Sequence, residues 1–173
     1  MSPVIRWLCW AILSGLLASC AHRSEPQPDT LAGRIAVRIE GQAERSLNAG
    51  FELSGSARQG SLVLSGPLGA TAAQAHWTAR EAWLITERGR VDYPDLDALT
   101  AAALGESIPV AALFAWLRGQ PWAEAPNAAR DDGVAGFDQL GWRIDLSRWS
   151  ERWIEATRTA APAVTVRARL ERT

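Results

Sequence analysis

The sequence contains no lysine; all 18 of its basic residues are arginine, which we read as a genomic bias rather than a functional signal. Histidine and cysteine are nearly as scarce, with two of each. His22 and His76 stand far apart, so there is no histidine pair at metal-ligand spacing. Cys9 falls in an apolar leader, which leaves Cys20 as the only thiol of a processed chain. That excludes an internal disulfide and a thiolate metal cluster. Charge of one sign is lacking too. The formal balance is −1, and nothing in that total favours nucleic acid. Catalytic pairings are also missing. Glu52, Glu81, Glu87, Asp92 and Asp145 are scattered, as on a solvated face, and Gly66-Pro67-Leu68-Gly69 lacks the Lys and Ser/Thr of a phosphate-binding loop. The expectation is a protein that is not an enzyme and uses no cofactor and no metal.

What is present begins with a leader. Met1–Arg6 carries one positive charge, Trp7–Leu17 is mostly apolar, and small residues then precede a cysteine. This is the layout of a secretory signal peptide, with an apolar part too short to span a bilayer. Leu17-Ala18-Ser19-Cys20 fits the bacterial lipobox; the competing reading is an ordinary signal cleaved near Ala18 with a stray thiol behind it. The lipobox predicts cleavage after Ser19 and a Cys20 that carries an N-palmitoyl and an S-diacylglycerol group. Three acyl chains, at roughly 0.8 kcal/mol per buried methylene, make the anchorage essentially permanent. Ala21, where Asp would favour inner-membrane retention, points to the outer membrane, on its inner leaflet and facing the periplasm. Residues 1–19 are thus expected to be a signal peptide, 20–32 a lipidated N-terminus and polar tether with Pro26 and Pro28, and 33–173 a single domain.

The body alternates at period two. Ile35, Val37 and Ile39 share one face against Arg34, Arg38 and Glu40. Similar strands follow at Leu47–Leu53, Leu62–Leu64, Ala73–Trp77, Glu81–Arg88 and Arg90–Tyr93. The middle changes period. Asp95 caps a helix through Leu96, Leu99 and Ala103 that Gly105 closes, and Pro109 opens a second, with Val110, Leu113, Phe114 and Leu117, that Gly119 stops. Both helices read as apolar on one side only and should lie against the sheet. Gln120–Gly136 reads as loop. Strands resume at Phe137–Leu140, Gly141–Leu146, Arg152–Thr157 and Val164–Leu170. The class is α+β: a curved antiparallel sheet with helices over one face. Nine tryptophans, of which Trp77, Trp83, Trp116, Trp122, Trp142, Trp149 and Trp153 follow the leader, are expected to pad a large apolar interior.

One stretch stands out. Between the runs Leu62–Leu64 and Ala72–Trp77, Gly66-Pro67-Leu68-Gly69 has Pro and Gly where a type I turn wants them. The turn puts Leu68 at the tip, where polar residues are usual. Either Leu68 folds back onto the core, or Pro67, Leu68 and Gly69 form an apolar finger that touches lipid or lipidated cargo.

Gly33–Val37, Ala49–Leu53, Leu64–Gly69 with the following Trp77, Ala112–Gly119 and Gly136–Trp142 resemble the LolB family of outer-membrane lipoprotein receptors, with blocks in the same order from about Gly33 to Leu170 and behind a lipobox. The resemblance implies a half-open β-barrel whose helices form a lid over an apolar cavity. It also implies acceptance of triacylated lipoproteins from the periplasmic carrier LolA, insertion of that cargo into outer-membrane lipid, and a membrane-inserting leucine, matched here by Leu68. Family members have a longer helix-forming segment before the first strand; only Ala21–Ala32 is available here, so that helix is expected to be short or absent. A monomer is expected.

The physics suits such a carrier. One acyl chain of about fifteen methylenes exposes on the order of 12 kcal/mol of unfavourable surface to water. An apolar cavity offers an alternative phase. Its candidate walls are Ile35, Val37, Leu62, Leu64 and Trp77 from strands and Leu99, Leu113, Phe114 and Leu117 from helices, each of which core packing would explain equally well. With no nucleotide motif, transfer is expected to run downhill in affinity. The alternative function is a structural or assembly lipoprotein that uses the curved sheet as a protein-binding surface.

Overall fold

The computed structural model describes residues 30–172. The leader, Cys20, His22 and the tether as far as Asp29 lie outside them. Eleven antiparallel strands form one curved, unclosed sheet in the order β6-β5-β4-β3-β2-β1-β11-β10-β9-β8-β7. The strands are β1 (Leu31–Ile39), β2 (Leu47–Gly55), β3 (Gly60–Ser65), β4 (Thr71–Trp77), β5 (Ala82–Thr86), β6 (Gly89–Tyr93), β7 (Asn127–Ala129), β8 (Gly136–Gln139), β9 (Trp142–Asp145), β10 (Trp153–Arg158) and β11 (Val164–Leu170). The first and last strands meet in the middle, β1 against β11, and the free edges are β6 and β7. A single crossing, residues 94–126, joins those edges and carries both helices, α1 (Leu96–Leu104) and α2 (Val110–Trp116).

Alternation decides which side of the sheet is the inside. Ile35, Val37 and Ile39 of β1, Ala49, Phe51 and Leu53 of β2, and Val164, Val166, Ala168 and Leu170 of β11 are buried, while Arg34, Arg38, Arg167 and Arg169 between them are exposed. β1 starts at Leu31, two residues ahead of the expected domain start at Gly33, because Leu31 and Ala32 pair with Leu53 and Glu52. β5 is shorter than the run Glu81–Arg88 suggests, since Glu87 and Arg88 form the turn into β6.

Two expectations need correction. The segment Gln120–Gly136 is not all loop: Asn127–Ala129 forms the edge strand β7 on β8. Its three residues are all exposed, so no period-two signal marks them. And α2 is not apolar on one side only. Val110, Ala112, Leu113, Phe114 and Trp116 are all buried, covering nearly its whole circumference, as in a helix sunk into a core. By contrast α1 is one-sided, burying Leu99 and Thr100 and exposing Asp97, Ala101 and Ala102. Asp95 caps it, its carboxylate accepting from the Ala98 amide at 2.7 Å, and Gly105 ends it at φ +75°.

α2 fills one half of the interior. Trp77 and Phe114 meet edge to face at 5.7 Å, and Trp116 and Trp142 lie 5.9 Å apart. Buried Gln139 ties this half together. Its Oε1 accepts from the Trp116 indole and the Trp122 amide, and its Nε2 donates to the Trp122 and Ala125 carbonyls, each at 2.8 Å. Trp83, Trp122, Trp149 and Trp153 are only half-buried, so the tryptophans do not all pad the interior as composition suggests.

Arginine–aspartate pairs hold the β7–β9 edge from outside. Arg130 grips Asp132 through Nε and Nη2, and Arg143 reaches Asp131 and Asp138. The Arg130 hydrogen bond draws the Asp132 carboxyl down to about 2. A carboxylate whose pKa is lowered on folding contributes stability above its unfolded value, near 4, and loses it as pH falls through 2. The thermal midpoint should therefore hold from pH 7 to about 5 and decline between about 4 and 2. Asp132→Asn should lower the neutral midpoint and flatten that decline, as read by circular dichroism.

Candidate functional site: an apolar cavity and an exposed leucine

The other half of the interior, beneath α1, is not filled. A cavity of about 240 Å³ lies between the sheet and the two helices. Ile35, Val37, Leu62 and Leu64 line it from strands, and Leu99 and Leu113 from helices. These six are among the nine side chains singled out by sequence. The remaining three, Trp77, Phe114 and Leu117, lie outside the cavity lining, buried in the packed half. Alternation assigns a side chain to the inner face but does not say which end of the barrel it occupies, so the two groups look alike in sequence.

Sequence reading did not single out Leu47, Ala73, Ala75, Leu84 and Val166 from strands, or Leu104, Ile108 and Val110 from the helical crossing. The signal for the strand members was available: each falls in phase with an inward-facing neighbour. Ala73 and Ala75 are informative because small side chains on a wall leave room. The one hydroxyl in the lining, Thr100, is already engaged. It donates to the Asp97 carbonyl at 3.0 Å and accepts from the Ile108 amide at 3.3 Å. The walls thus offer hydrocarbon and no free polar group, an environment that takes an apolar guest.

The lid is fastened at one point by charge. Glu106, just past α1, pairs with Arg158 of β10 at 2.6 Å, both side chains less than a fifth exposed. Among the described residues no comparable ion pair ties α1 to β5 or β6 on the opposite side. There Val91 of edge strand β6, next to the cavity-lining Leu84 in the sheet, is exposed, and so is Ala103 of α1, which itself lines the cavity with Leu104.

The β3–β4 hairpin carries the second feature. Leu64 and Ala73 are paired across it and both line the cavity. Beyond them the register shifts, and the Gly69 amide donates to the Gly66 carbonyl at 3.0 Å, while Gly66 donates to Ala70 at 2.9 Å. Gly69 sits at φ +81°, a conformation that glycine adopts without strain. These bonds form the type I turn read from sequence and hold Leu68 outward, 99% exposed. It does not fold back onto the core.

Of the scattered carboxylates, Asp92 pairs with Arg90 and Asp145 approaches Arg130. Among the described residues no group of three His, Cys, Asp or Glu could hold a metal ion.

Comparison with known proteins agrees with this architecture. Residues 29–170 match the family model described as outer membrane lipoprotein LolB. The chain is 32% identical over 159 residues to an outer-membrane lipoprotein LolB of Bordetella petrii, covering 84% of this chain and 79% of that protein. It is 31% identical over 170 residues to one of Alkalilimnicola ehrlichii, covering 84% and 83%, and 27% identical over 157 residues to one of Chromobacterium violaceum, covering 84% of each. With an unclosed antiparallel barrel, a helical crossing and a match over nearly all the described residues, the chain belongs to the LolB family of outer-membrane lipoproteins.

Proposed function

We propose that the protein is a receptor that accepts triacylated lipoproteins from the periplasmic carrier LolA and releases them into the inner leaflet of the outer membrane, where its own acylated Cys20 anchors it. The observation that carries this reading is the apolar cavity under α1, whose only hydroxyl is internally satisfied. Its 240 Å³ is below the ~300–1,000 Å³ of ordinary ligand pockets, so three acyl chains enter only as α1 moves outward. That motion breaks no strand pairing, because β6 and β7 are not paired to each other. The wall contacts are nonspecific, which suits cargo that shares acyl chains and little else. Transfer without a nucleotide then requires only that affinity rise from carrier to receptor and again from receptor to bilayer.

The test is a transfer assay: carrier loaded with a labelled lipoprotein is mixed with this protein in the absence of ATP. Cargo should move spontaneously. In the same assay Ala75→Phe should fold normally yet accept little cargo, since a 150 Å³ cavity already admits a benzene ring and the new side chain fits the space. Cargo that stays on the carrier with the unaltered protein would favour the scaffold reading, in which the sheet binds a protein partner.

A further inference from the structure

The outer face of the sheet carries an arrangement that the cavity does not explain. Arg34 of β1 and Arg169 of β11 are direct cross-strand partners, both exposed. Like charges placed so are destabilising unless something offsets them. Among the described residues no side chain makes an ion pair with either, and the only offset is a through-space one, from Glu151 to Arg169. The pair borders a groove of about 620 Å³ whose lining also includes Arg152 and Arg172. Against these four arginines stand Glu151 and Glu171, and Glu151 is already held by Arg148 at 2.5 Å. The Nε–H of Arg152 is buried with no acceptor. Such an orphaned donor is costly, and it leaves the Arg152 guanidinium without an acidic partner at the groove it lines.

Position identifies the anion. In the sheet register Arg169, Arg34, Gly50 and Ser65 follow one another across four adjacent strands, and the Leu68 turn begins at the next residue. At about 4.8 Å per strand the Arg34 backbone lies roughly 10 Å from the foot of that turn. Gly50 keeps the path between them low: a Cβ there would come within 2.4 Å of the Ser65 hydroxyl. A second groove, of about 370 Å³, runs over Gly50 and is bounded by Pro67 and Gly69 on one side and Arg34 on the other. It shares Arg34 and Glu171 with the first. An exposed leucine and a row of unpaired arginines thus occupy one continuous outer surface.

We infer that this arginine groove binds the phosphates of anionic lipids, so that the outer face of β1 and β11 lies against the bilayer when Leu68 enters it. The inference rests on the proposed release of cargo into the outer membrane, takes the exposed Leu68 as the tip that faces the bilayer, and adds a headgroup site that fixes which way the barrel leans. An apolar side chain in the leaflet brings the lipid phosphates alongside it, at the level where guanidinium groups bind them well.

The test uses the full mature chain with Cys20→Ser, so that no acyl chain contributes, and measures its sedimentation with vesicles of phosphatidylcholine alone or with phosphatidylglycerol added. Binding should be stronger on the anionic vesicles and weaken with salt. The double variant Arg34→Gln, Arg169→Gln should lose about twentyfold or more of that binding, since each arginine near an anionic surface contributes about a fivefold factor. Its melting temperature should stay level or rise, because the like-charge pair is gone. Equal binding to both vesicle types, or an undiminished double variant, would overturn the proposal. So would release by inorganic phosphate at matched ionic strength, which would mean that the groove takes a free anion. Leu68→Glu separates the two readings: if it binds anionic vesicles as well as the parent while the arginine variant does not, the groove stands and the finger falls.

Discussion

Leu68→Glu is expected to leave cargo acceptance intact and to abolish delivery to membranes. The side chain is 99% exposed, so its replacement removes no packing and should change the unfolding free energy by less than about 0.5 kcal/mol. The turn that presents it is made by the Gly66 and Gly69 backbones, which the substitution does not touch. What changes is the tip's affinity for lipid. Burying a leucine side chain in an apolar phase yields about 1.5–3 kcal/mol, and a carboxylate in its place must be left in water or desolvated at considerable cost. Loss of the leucine alone slows insertion by roughly ten- to a hundredfold. The readout is two-part: cargo transferred from carrier to variant, and cargo then released to vesicles. Normal release would overturn the role assigned to Leu68. Failure at the first step would place the leucine in cargo binding instead.

Gln139→Leu should be the most damaging single change to the fold, costing about 3–5 kcal/mol. Four hydrogen bonds converge on that amide, and an apolar side chain replaces none of them. The Trp116 indole is buried, so its N–H has no water to turn to, and each stranded buried group costs about 1–3 kcal/mol. The Trp122 and Ala125 groups are nearer the surface and recover part of their loss through water. Set against a total stability of about 5–15 kcal/mol, this brings the protein near its threshold. Urea unfolding reads the cost. Hydrogen exchange should also show the Trp122 amide losing protection first, because the segment after α2 is moored through Gln139. A loss under 1 kcal/mol would mean that the network is dispensable.

The contrast between these two residues shows what the sequence makes legible. Leu68 could be found because the anomaly is local: an apolar residue in a turn whose Pro and Gly declare its geometry. The strands and α1 were legible for the same reason, through alternation, the Asp95 cap and the Gly105 stop. Gln139 gives no such sign, since its importance arises from bringing Trp116, Trp122 and Ala125 together in space. β7 was hidden because an exposed edge strand has no buried face to set a period. The division of the interior was hidden too. Leu113 and Phe114 are neighbours on α2, yet one lines the cavity and the other packs against Trp77. Only the depth to which α2 sinks into the barrel decides between them.

The meeting of β1 and β11 at the centre of the sheet also constrains the order in which the chain folds. Of the described strands β1 is the first to be synthesised, and its partner along Gly33–Ile39 is the last. Strands β1 to β6 can assemble as a meander while the rest is still emerging, but throughout that time one side of β1 is an open edge. Closing it joins residues more than a hundred positions apart, the kind of distant pairing that makes folding slow. Until then the barrel is half a wall with its apolar face uncovered, the state in which such chains aggregate. The seam that holds the finished protein together is therefore the last to be sewn, and until β11 arrives the growing sheet carries an open edge at β1.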